Sequence, residues 1–402
     1  MINREVYMQR IRPFINTELI KVFTGIRRCG KSVMLSLVQE ELKKNGINEK
    51  NFLFLNFEQF SNSELLTATS LYKKIVNFQK TTSGKIYLFF DEIQEVSGWE
   101  KCINSCRIDF DCDIYITGSN AKLLSGELAT YLAGRYVEFV IYPFSFAEYL
   151  KMKSQKNSQI NKSECFLQFL KTGGMPFISD FDGDDSAKNQ YLIDVYNSVV
   201  LKDIVKRNNI RDVDTLERII AYTFSNIGHI FSATSLSKYF KNENRKISHE
   251  TILNYLNFCT NAFLFYKINR YDLEGKKILT VNEKYYCADH GLREAIFGKN
   301  FQNVDQILEN IVCLELLRRN FKVYVGKKDD LEIDFIAEKD SKRIYVQVAY
   351  LLSTEETLNR EFSVLKSIKD NFPKYVVSMD EFNFSQNGLI HKNIKDFLLE
   401  DF

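Results

Sequence analysis

The stretch that decides the fold of this chain is Gly25-Ile26-Arg27-Arg28-Cys29-Gly30-Lys31-Ser32. It follows an apolar, strand-like run from Leu19 to Thr24 and begins a helix-like run from Val33 to Lys43. A glycine-rich turn between a strand and a helix, ending in Gly-Lys-Ser, is the P-loop pattern. Its backbone N–H groups can surround phosphates at a helix N-terminus, where the helix dipole favours negative charge. We therefore expect these eight residues to bind a nucleotide, with Lys31 on the β- and γ-phosphates and Ser32 on Mg²⁺.

Four more strand-like runs follow within the first 150 residues: Asn51 to Phe57, Lys85 to Phe90, Asp113 to Thr117 and Tyr136 to Ile141. Helical stretches separate them, and this alternation predicts an α/β domain with a parallel sheet covered on both faces. Ligands of such sheets bind at the carboxyl ends of the strands. The P-loop, Asp91-Glu92 and the stretch from Thr117 to Asn120 should therefore meet at one edge of the sheet.

Two acidic residues close the third predicted strand. Asp91 can hold the Mg²⁺ shell, and Glu92 can orient and deprotonate the attacking water. Both could instead cap the helix that follows. The pattern favours the catalytic interpretation, because acids directly after an apolar strand lie at the edge of the sheet where Mg²⁺ and ATP are expected to bind.

Three further polar positions have two interpretations each. Asn120 follows the fourth strand and could contact the γ-phosphate or the water as a sensor, or be a turn residue with a left-handed backbone. Arg135 precedes the fifth strand and could be donated to a neighbouring subunit's phosphate as a finger, or form a structural salt bridge. Arg27 and Arg28 could contact phosphate or shape the loop.

The bulk composition narrows the class of protein. A chain of 402 residues is too long to fold around a single hydrophobic core, so we expect two to four domains. The net charge of +2 gives no overall electrostatic drive toward nucleic acid, so any basic surface must be local. Eight cysteines without a CxxC pair and four scattered histidines argue against a zinc or histidine-based metal site. Without a signal-type segment or an apolar run of about 20 residues, we expect a cytoplasmic protein with no membrane partner.

The middle of the chain is predicted to be helical. We expect residues 151–212 to be a helical segment attached to the first domain. Residues 213–300 contain three short helix-like runs and then a hairpin-like pair of strands across Glu274-Gly275, which is the winged-helix order. Nearby cations could contact DNA: Lys238, Lys241, Arg245, Lys246, Lys276 and Lys277. The third helix is poor in Arg and Lys and winged helices also bind proteins, so DNA and a protein partner both remain candidates.

The last segment, residues 301–402, has the order of elements of a PD-(D/E)XK nuclease core. Glu309 lies on an amphipathic helix, Asp334 on a strand and Gln347 on the next strand. In that core carboxylates hold Mg²⁺ and a lysine activates water or supports the phosphate. Here the lysine position is Ala349, although the Gln347 carbonyl could still bind a metal. We therefore predict a restriction-endonuclease-like α/β domain with a degenerate site and without nuclease activity.

Several longer stretches carry a resemblance to a known family: GIRRCGKS, FFDEIQ, ITGSNAKLLSGELATYLAGRY, GGMPF, LKDIVKRNNIRD, RYDLEGKKIL, KYYCADHGLRE, LEIDFIAE and NREFSVLKSIKDNFPKYVVSMD. The chain resembles, nearly end to end, a bacterial and archaeal family of AAA-type P-loop ATPases fused to a C-terminal domain of unknown function. The resemblance implies ATP and Mg²⁺ as ligands, ATP hydrolysis, a winged-helix segment and a nuclease-like C-terminal fold. It maps Lys31 and Ser32 to the phosphate-binding loop, and Asp91 and Glu92 to the Mg²⁺ and water-activating acids. It implies no defined cellular task.

Together these patterns predict an ATPase domain at residues 1–150, followed by the helical segment at 151–212, the winged-helix-like domain at 213–300 and the nuclease-like domain at 301–402. Three functions fit this order. The first is an ATPase that rearranges its C-terminal DNA- or protein-binding modules, with hydrolysis driving movement of, or on, DNA; it needs a homo-oligomer, a finger such as Arg135 and a basic DNA-facing surface. The second is a nucleotide-dependent switch for a protein partner with little turnover. The third is an ATP-licensed DNA nuclease.

Overall fold

The computed structural model describes residues 2–121, 132, 134–156, 159–298 and 303–400. These residues form two compact units. The first comprises residues 1–141 and 261–263, and the second comprises residues 142–260 and 264–402. Most of the stretch from Lys122 to Ala133, which belongs to one of the family-like motifs, lies outside the described residues. The division into four functional segments stays a prediction.

The first unit alternates strands and helices. In chain order its elements are α1 (Glu5–Ile11), β1 (Ile20–Thr24), α2 (Lys31–Lys44), β2 (Phe52–Asn56), α3 (Ala68–Thr81), β3 (Ile86–Asp91), α4 (Trp99–Asp109), β4 (Cys112–Gly118) and β5 (Tyr136–Val140). The five strands form one sheet in the order β2-β3-β4-β1-β5, and all its pairings are parallel. The predicted α/β class with a parallel sheet is confirmed.

The sheet of the first unit is buried, and its central strands are mainly apolar. Every residue of β1 and β3 is buried, and side chains from α3 and α4 pack against them in one hydrophobic cluster. Since all five strands run in the same direction, the residues after β1, β3 and β4 reach the same edge. That edge holds the P-loop, Asp91-Glu92 and the turn after β4, as the sequence predicted.

The second unit begins with helices. Its first helices are α5 (Phe146–Ser154), α6 (Lys162–Thr172), α7 (Pro176–Asp180) and α8 (Asp185–Ser198), which continues as a π-helical stretch, Val199–Lys206. Three further helices follow: α9 (Val213–Ser225), α10 (Ala233–Asn242) and α11 (His249–Asn261). Ser232 caps α10 by accepting a hydrogen bond from the Ser235 backbone N–H, which explains why that helix begins there.

The rest of the second unit is a mixed sheet with flanking helices. Its elements are β6 (Phe265–Asp272), β7 (Lys277–Cys287), α12 (His290–Phe297), α13 (Val304–Arg318), β8 (Lys322–Lys328), β9 (Leu331–Lys339), β10 (Lys342–Val348), α14 (Glu355–Lys366), β11 (Lys374–Ser378), β12 (Ile390–Asn393) and α15 (Ile394–Leu399). The strand order is β12-β11-β10-β9-β8-β6-β7. Helices α13 and α15 contribute to one hydrophobic cluster, and α14 contributes to another together with the strands beside it.

The β6–β7 hairpin lies where the sequence predicted it, but it is not a free wing. Residues Arg270 to Asp272 of β6 pair in parallel with Val325 to Lys327 of β8. This pairing continues the sheet of strands β8 to β12 through the hairpin. The hairpin and the C-terminal strands therefore share one sheet, across the predicted domain boundary at residue 300.

Within residues 2–121, 132, 134–156, 159–298 and 303–400, no helix is both long enough and apolar enough to cross a bilayer.

Candidate nucleotide-binding site

The backbone of the P-loop requires its two glycines. Gly25 has a φ of 138° and Gly30 a φ of 102°, a range that side chains disfavour. A Cβ on Gly25 would lie 2.2 Å from the carbonyl oxygen of Ile141, just after β5. The loop therefore turns tightly beside β5 and delivers Lys31 and Ser32 to the first turn of α2.

Lys31 is held inside the loop. Its side chain is only 4% exposed, and its ammonium donates to the carbonyl oxygens of Gly25 at 3.2 Å and Ile26 at 3.3 Å. The same Nζ lies 3.6 Å from Oε1 of Glu92. The loop cation and the acid after β3 are thus adjacent, and this contact joins two of the predicted site motifs.

Asp91 is fixed by donors from two neighbouring strands. Its Oδ1 accepts from the Thr117 hydroxyl of β4 at 2.6 Å, and its Oδ2 accepts from Nδ2 of Asn56, at the end of β2, at 2.8 Å. Burial raises the pKa of Asp91, while hydrogen bonds from Thr117 and Ser32 act in the opposite direction. Ser32 and Asp91, the two predicted Mg²⁺ ligands, therefore lie within hydrogen-bonding distance of each other.

Glu92 has an unusual backbone conformation. Its φ of 54° is left-handed, which is uncommon for a glutamate, and its N–H donates to the Thr117 hydroxyl at 2.8 Å. Burial acts to raise the pKa of Glu92, but Lys31, Gln94 and Arg27 outweigh it, so the pKa lies below its ordinary value. Glu92 is thus an ionised carboxylate beside the P-loop, the state that a general base needs.

The structure assigns different surroundings to the two arginines of the loop. Nη1 of Arg27 pairs with Oε1 of Glu58 at 2.8 Å, which ties the loop to the segment after β2. Arg28 is exposed and has a φ of 68°. Cys29 is buried, its carbonyl accepts from Arg4 at 3.1 Å, and burial raises the pKa of its thiol. These contacts favour a loop-shaping role for Arg27.

The last two predicted residues lie at opposite edges of the sheet. Asn120 is buried and follows β4, whose Gly118 pairs with Thr24 at the P-loop edge. Arg135 precedes β5 at the edge where β1 begins, and its Nη1 donates to Asn104 of α4 at 3.0 Å. The structure therefore brings Asn120, but not Arg135, to the P-loop of the same chain.

Sequence reasoning gave no individual role to three residues that shape this site, although it expected the stretch that begins at Thr117 to lie at this edge. They are Thr117, whose hydroxyl joins Asp91 to the Glu92 backbone, Asn56, which binds Asp91, and Glu58, which binds Arg27. Asn56 and Thr117 each occupy the end of an apolar strand, and that position was a usable signal. Glu58 had no such signal, because its pairing depends on how the chain turns after β2.

Comparison with known proteins places this site in a family. The chain is 40% identical over 403 residues to an uncharacterized protein of Haemophilus influenzae, covering 100% of this chain and 99% of that one. It is 34% identical over 389 residues to an uncharacterized protein of Methanocaldococcus jannaschii, covering 92% and 82%. Residues 17–150 match the model of an AAA domain, and residues 163–303 match a domain of unknown function, DUF8612. The chain belongs to this family of AAA-domain proteins.

A solved structure supports the fold of this AAA-domain protein. The Walker-type ATPase PABY2304 of Pyrococcus abyssi superposes with a TM-score of 0.51 at 14% identity, covering 73% of this chain and 95% of that one. At this identity the likeness shows the fold alone. It confirms the predicted P-loop ATPase fold, with its parallel sheet.

Thr117→Val tests the expected role of Asp91 as a Mg²⁺ ligand in this AAA-domain protein, and we expect it to weaken Mg²⁺ binding. The substitution removes the hydroxyl that donates to Asp91, so the pKa of Asp91 rises further and more of it is protonated as the pH falls. We expect about a tenfold higher Mg²⁺ concentration for half-maximal ATP hydrolysis, with an effect that grows as the pH is lowered. Thr117→Ser keeps the hydroxyl and is the control. An unchanged Mg²⁺ requirement in Thr117→Val would remove Thr117 from this role.

Proposed function

We propose that this AAA-domain protein binds ATP with Mg²⁺ at the P-loop and hydrolyses it with Glu92 as the general base. The observation that carries the proposal is the contact network at one edge of the first sheet. In this network Lys31 pairs with Glu92, and Ser32 lies within hydrogen-bonding distance of Asp91. The Thr117 hydroxyl donates to Asp91 and accepts from the Glu92 backbone N–H. Phosphoryl transfer depends on such positioning of a cation, a metal-binding acid and a base.

The donors at this edge suit Mg²⁺. The metal prefers hard oxygen ligands and is usually bound by one or two carboxylates together with substrate phosphates. Ser32 supplies a hydroxyl and Asp91 a carboxylate, and the two are already adjacent. Within the residues that the structure describes, no group of three or more His, Cys, Asp or Glu side chains could hold a metal ion. A magnesium bound through Ser32, Asp91 and the phosphates of ATP agrees with that finding.

The protein residues then have separate tasks. Lys31 binds the β- and γ-phosphates and offsets their charge, and the N–H groups of the loop at the start of α2 bind the remaining phosphate oxygens. Glu92 accepts a proton from the attacking water, because it is an ionised carboxylate beside Lys31, whereas Asp91 binds the metal. Asn120 orients the γ-phosphate or the water from the end of β4.

We further propose that nucleotide state rearranges the second unit, which binds DNA or a protein partner. Helices α9 to α11 and the β6–β7 hairpin support a winged-helix interpretation, and the order α13-β8-β9-β10-α14-β11 supports a nuclease-like fold. Arg135 lies away from the P-loop of its own chain, which leaves two roles for it. Either it is donated to a neighbouring copy in a homo-oligomer, or it is structural through Asn104.

Steady-state ATP hydrolysis by the purified chain, with and without double-stranded DNA, tests this function. We expect Mg²⁺-dependent turnover well above that of Glu92→Gln measured beside it. Stimulation by DNA would identify DNA as the partner of the second unit, whereas turnover indifferent to DNA would favour a protein-partner switch. Turnover no higher than that of the mutant would contradict the proposed ATPase.

A further inference from the structure

The sheet of the first unit ends in a strand whose outer side is unpaired. Among the strands that the structure describes, β2 pairs with β3 alone. Phe57, directly after β2, donates its N–H to the Asp91 carbonyl of β3 at 3.1 Å. Successive strand residues point their backbone groups to opposite sides, so those of Leu53 and Leu55 also point toward β3. The N–H and C=O of Phe54 therefore point away from the sheet.

Local turns use the outward groups at the two ends of β2 and leave its middle open. The Phe52 N–H donates to the Glu49 carbonyl, and the Asn56 carbonyl accepts from Nδ2 of Asn62 at 2.8 Å. Within the part of the chain that the structure describes, no turn or loop forms a hydrogen bond to the backbone of Phe54. The Phe54 N–H and C=O, the Phe52 carbonyl and the Asn56 N–H are thus available to a further strand.

The sequence of β2 does not protect this edge. Edge strands usually carry a charge, a proline or a bulge that prevents pairing with another chain. β2 reads Phe-Leu-Phe-Leu-Asn, and its register with β3 is continuous. The other edge strands that the structure describes each contain charged residues, such as Glu138 in β5, Lys284 in β7 and Lys392 in β12. An uncharged, regular edge of this kind favours pairing with a further strand.

Exposed aromatic side chains accompany the open edge. The side chain of Phe54, in the middle of β2, is 42% exposed. Phe60, at the start of the short 3₁₀ helix Phe60–Leu65, is 91% exposed. Asn62 of the same short helix contacts the carbonyl of Asn56, so this helix adjoins the end of the edge. Burial of these rings against a partner would remove apolar surface from water.

The charges around β2 complement each other under a two-fold axis. If two copies pair antiparallel about Phe54, residues equally distant from Phe54 on its two sides face each other. Lys50 lies four residues before Phe54 and Glu58 four residues after it, and both are exposed. Lys50 of each copy would then face Glu58 of the other. A parallel pairing in the same register would instead place Lys50 beside Lys50, so the charges favour the antiparallel one.

We propose that β2 is a dimerisation edge, through which two copies of this chain pair antiparallel about Phe54 and form one continuous sheet. The two Phe54 residues exchange both of their N–H···O=C hydrogen bonds, as directly opposed residues do in a hydrogen-bonded antiparallel pair. The Asn56 N–H of each copy donates to the Phe52 carbonyl of the other. The occupant of the edge is therefore a second copy of the chain.

This edge also reaches the candidate nucleotide site. Asn56 of β2 donates to Asp91, and Glu58 pairs with Arg27 of the P-loop. In the dimer Lys50 of the second copy would share Glu58 with Arg27, so each copy would place a cation beside the other's loop. The edge is opposite in strand order to β5, and the pairing does not depend on ATP hydrolysis.

Sedimentation equilibrium of the nucleotide-free full chain is the first test. We expect the wild-type chain to dimerise with a dissociation constant in the micromolar range. Phe54→Lys should weaken dimerisation about 100-fold, because it removes one apolar contact from each copy and places like charges opposite each other. Ile108→Lys introduces the same charge at a position of α4 that is 67% exposed, and it should dimerise as wild type does.

Two outcomes of this first test would overturn the proposal. One is a wild-type chain that stays monomeric at about 100 µM. The other is a folded Phe54→Lys that dimerises as tightly as wild type, because any dimer would then use another surface. If Phe54→Lys does not fold, Phe54→Ser takes its place and should also weaken dimerisation.

Exchange of the two charges is the second test. Lys50→Glu and Glu58→Lys should each dimerise about tenfold more weakly than wild type, since each places like charges opposite each other. An equimolar mixture of the two variants should dimerise as tightly as wild type, because the mixed dimer restores both opposite-charge pairs. A folding defect cannot produce that recovery, since the mixture contains the same two polypeptides. A mixture no more dimeric than either variant alone would overturn the proposed register.

Two controls separate the pairing from net charge and from the ATPase. Lys101→Glu and Glu95→Lys make the same changes in net charge at exposed positions outside β2 and its flanking turns. Each should dimerise as wild type does, and mixing them should change nothing. Glu92→Gln should also dimerise as wild type does, so failure of the proposed pairing and failure of the proposed hydrolysis are distinguishable.

Discussion

Lys31→Ala should weaken ATP binding by about 1000-fold, or about 4 kcal/mol. The ammonium is expected to make charge-assisted hydrogen bonds to the β- and γ-phosphates, each contributing about 1.5–3 kcal/mol. Its position in the structure supports that role, since it is buried between the loop carbonyls of Gly25 and Ile26. Binding of a fluorescent ATP analogue to the purified variant measures the loss.

The same substitution has a second consequence that must be separated from the first. Without Lys31 the buried carboxylate of Glu92 loses the cation 3.6 Å away, which should destabilise the fold. The double variant Lys31→Ala with Glu92→Gln removes that unpaired charge, so its melting temperature should recover while its ATP affinity does not. Lys44→Ala, at the exposed end of the same helix, should change neither quantity. A well-folded Lys31→Ala with wild-type affinity would remove Lys31 from the nucleotide site.

The sequence predicted the first unit well because its signals are local. Each strand of the parallel sheet is a mainly apolar run, and the structure places all five within one residue of the predicted bounds. The P-loop is also local, since strand, glycine turn and helix follow one another in the chain. Because the strands are parallel, Asp91, Glu92 and Asn120 lie at the same edge as the loop, and no further information is needed to predict that they do.

Contacts between strands could not be predicted in the same way. Lys21 lies in the middle of β1 and forms a buried ion pair with Asp113 of β4, 92 residues later. Thr117 and Asn56 bind Asp91 only because β4 and β2 both neighbour β3 in the sheet. Hydrophobic periodicity identifies strands, but it does not give their order.

Strand order also explains why the sequence did not predict the contact between Lys284 and Glu309 in the second unit. The sequence pattern seeks a lysine two positions after Gln347, on the same strand, and finds Ala349. Lys284 lies on a hairpin that the sequence assigned to another domain, and the pairing of β6 with β8 includes that hairpin in the C-terminal sheet. Lys284, before the predicted boundary, therefore lines the same cavity of the second unit as three residues after it, Glu309, Asp334 and Gln347.

Glu92→Gln should retain ATP binding and lower the rate of hydrolysis by about 1000-fold, within the range of a lost general base. The amide keeps the size of the side chain and still offers an oxygen to Nε2 of Gln94, which lies 2.5 Å from Oε2 of Glu92. It cannot accept the proton of the attacking water. Single-turnover hydrolysis of radiolabelled ATP, beside an affinity measurement on the same preparation, separates the two effects.

Glu95→Gln is the matched control, because it makes the same chemical change three residues later at an exposed position. It should hydrolyse ATP at the wild-type rate. Asp91 is expected to bind the metal, since it lies within hydrogen-bonding distance of Ser32. Equal turnover in wild type and Glu92→Gln would therefore remove Glu92 from the role of the base. The left-handed backbone at Glu92 would then have a structural reason only.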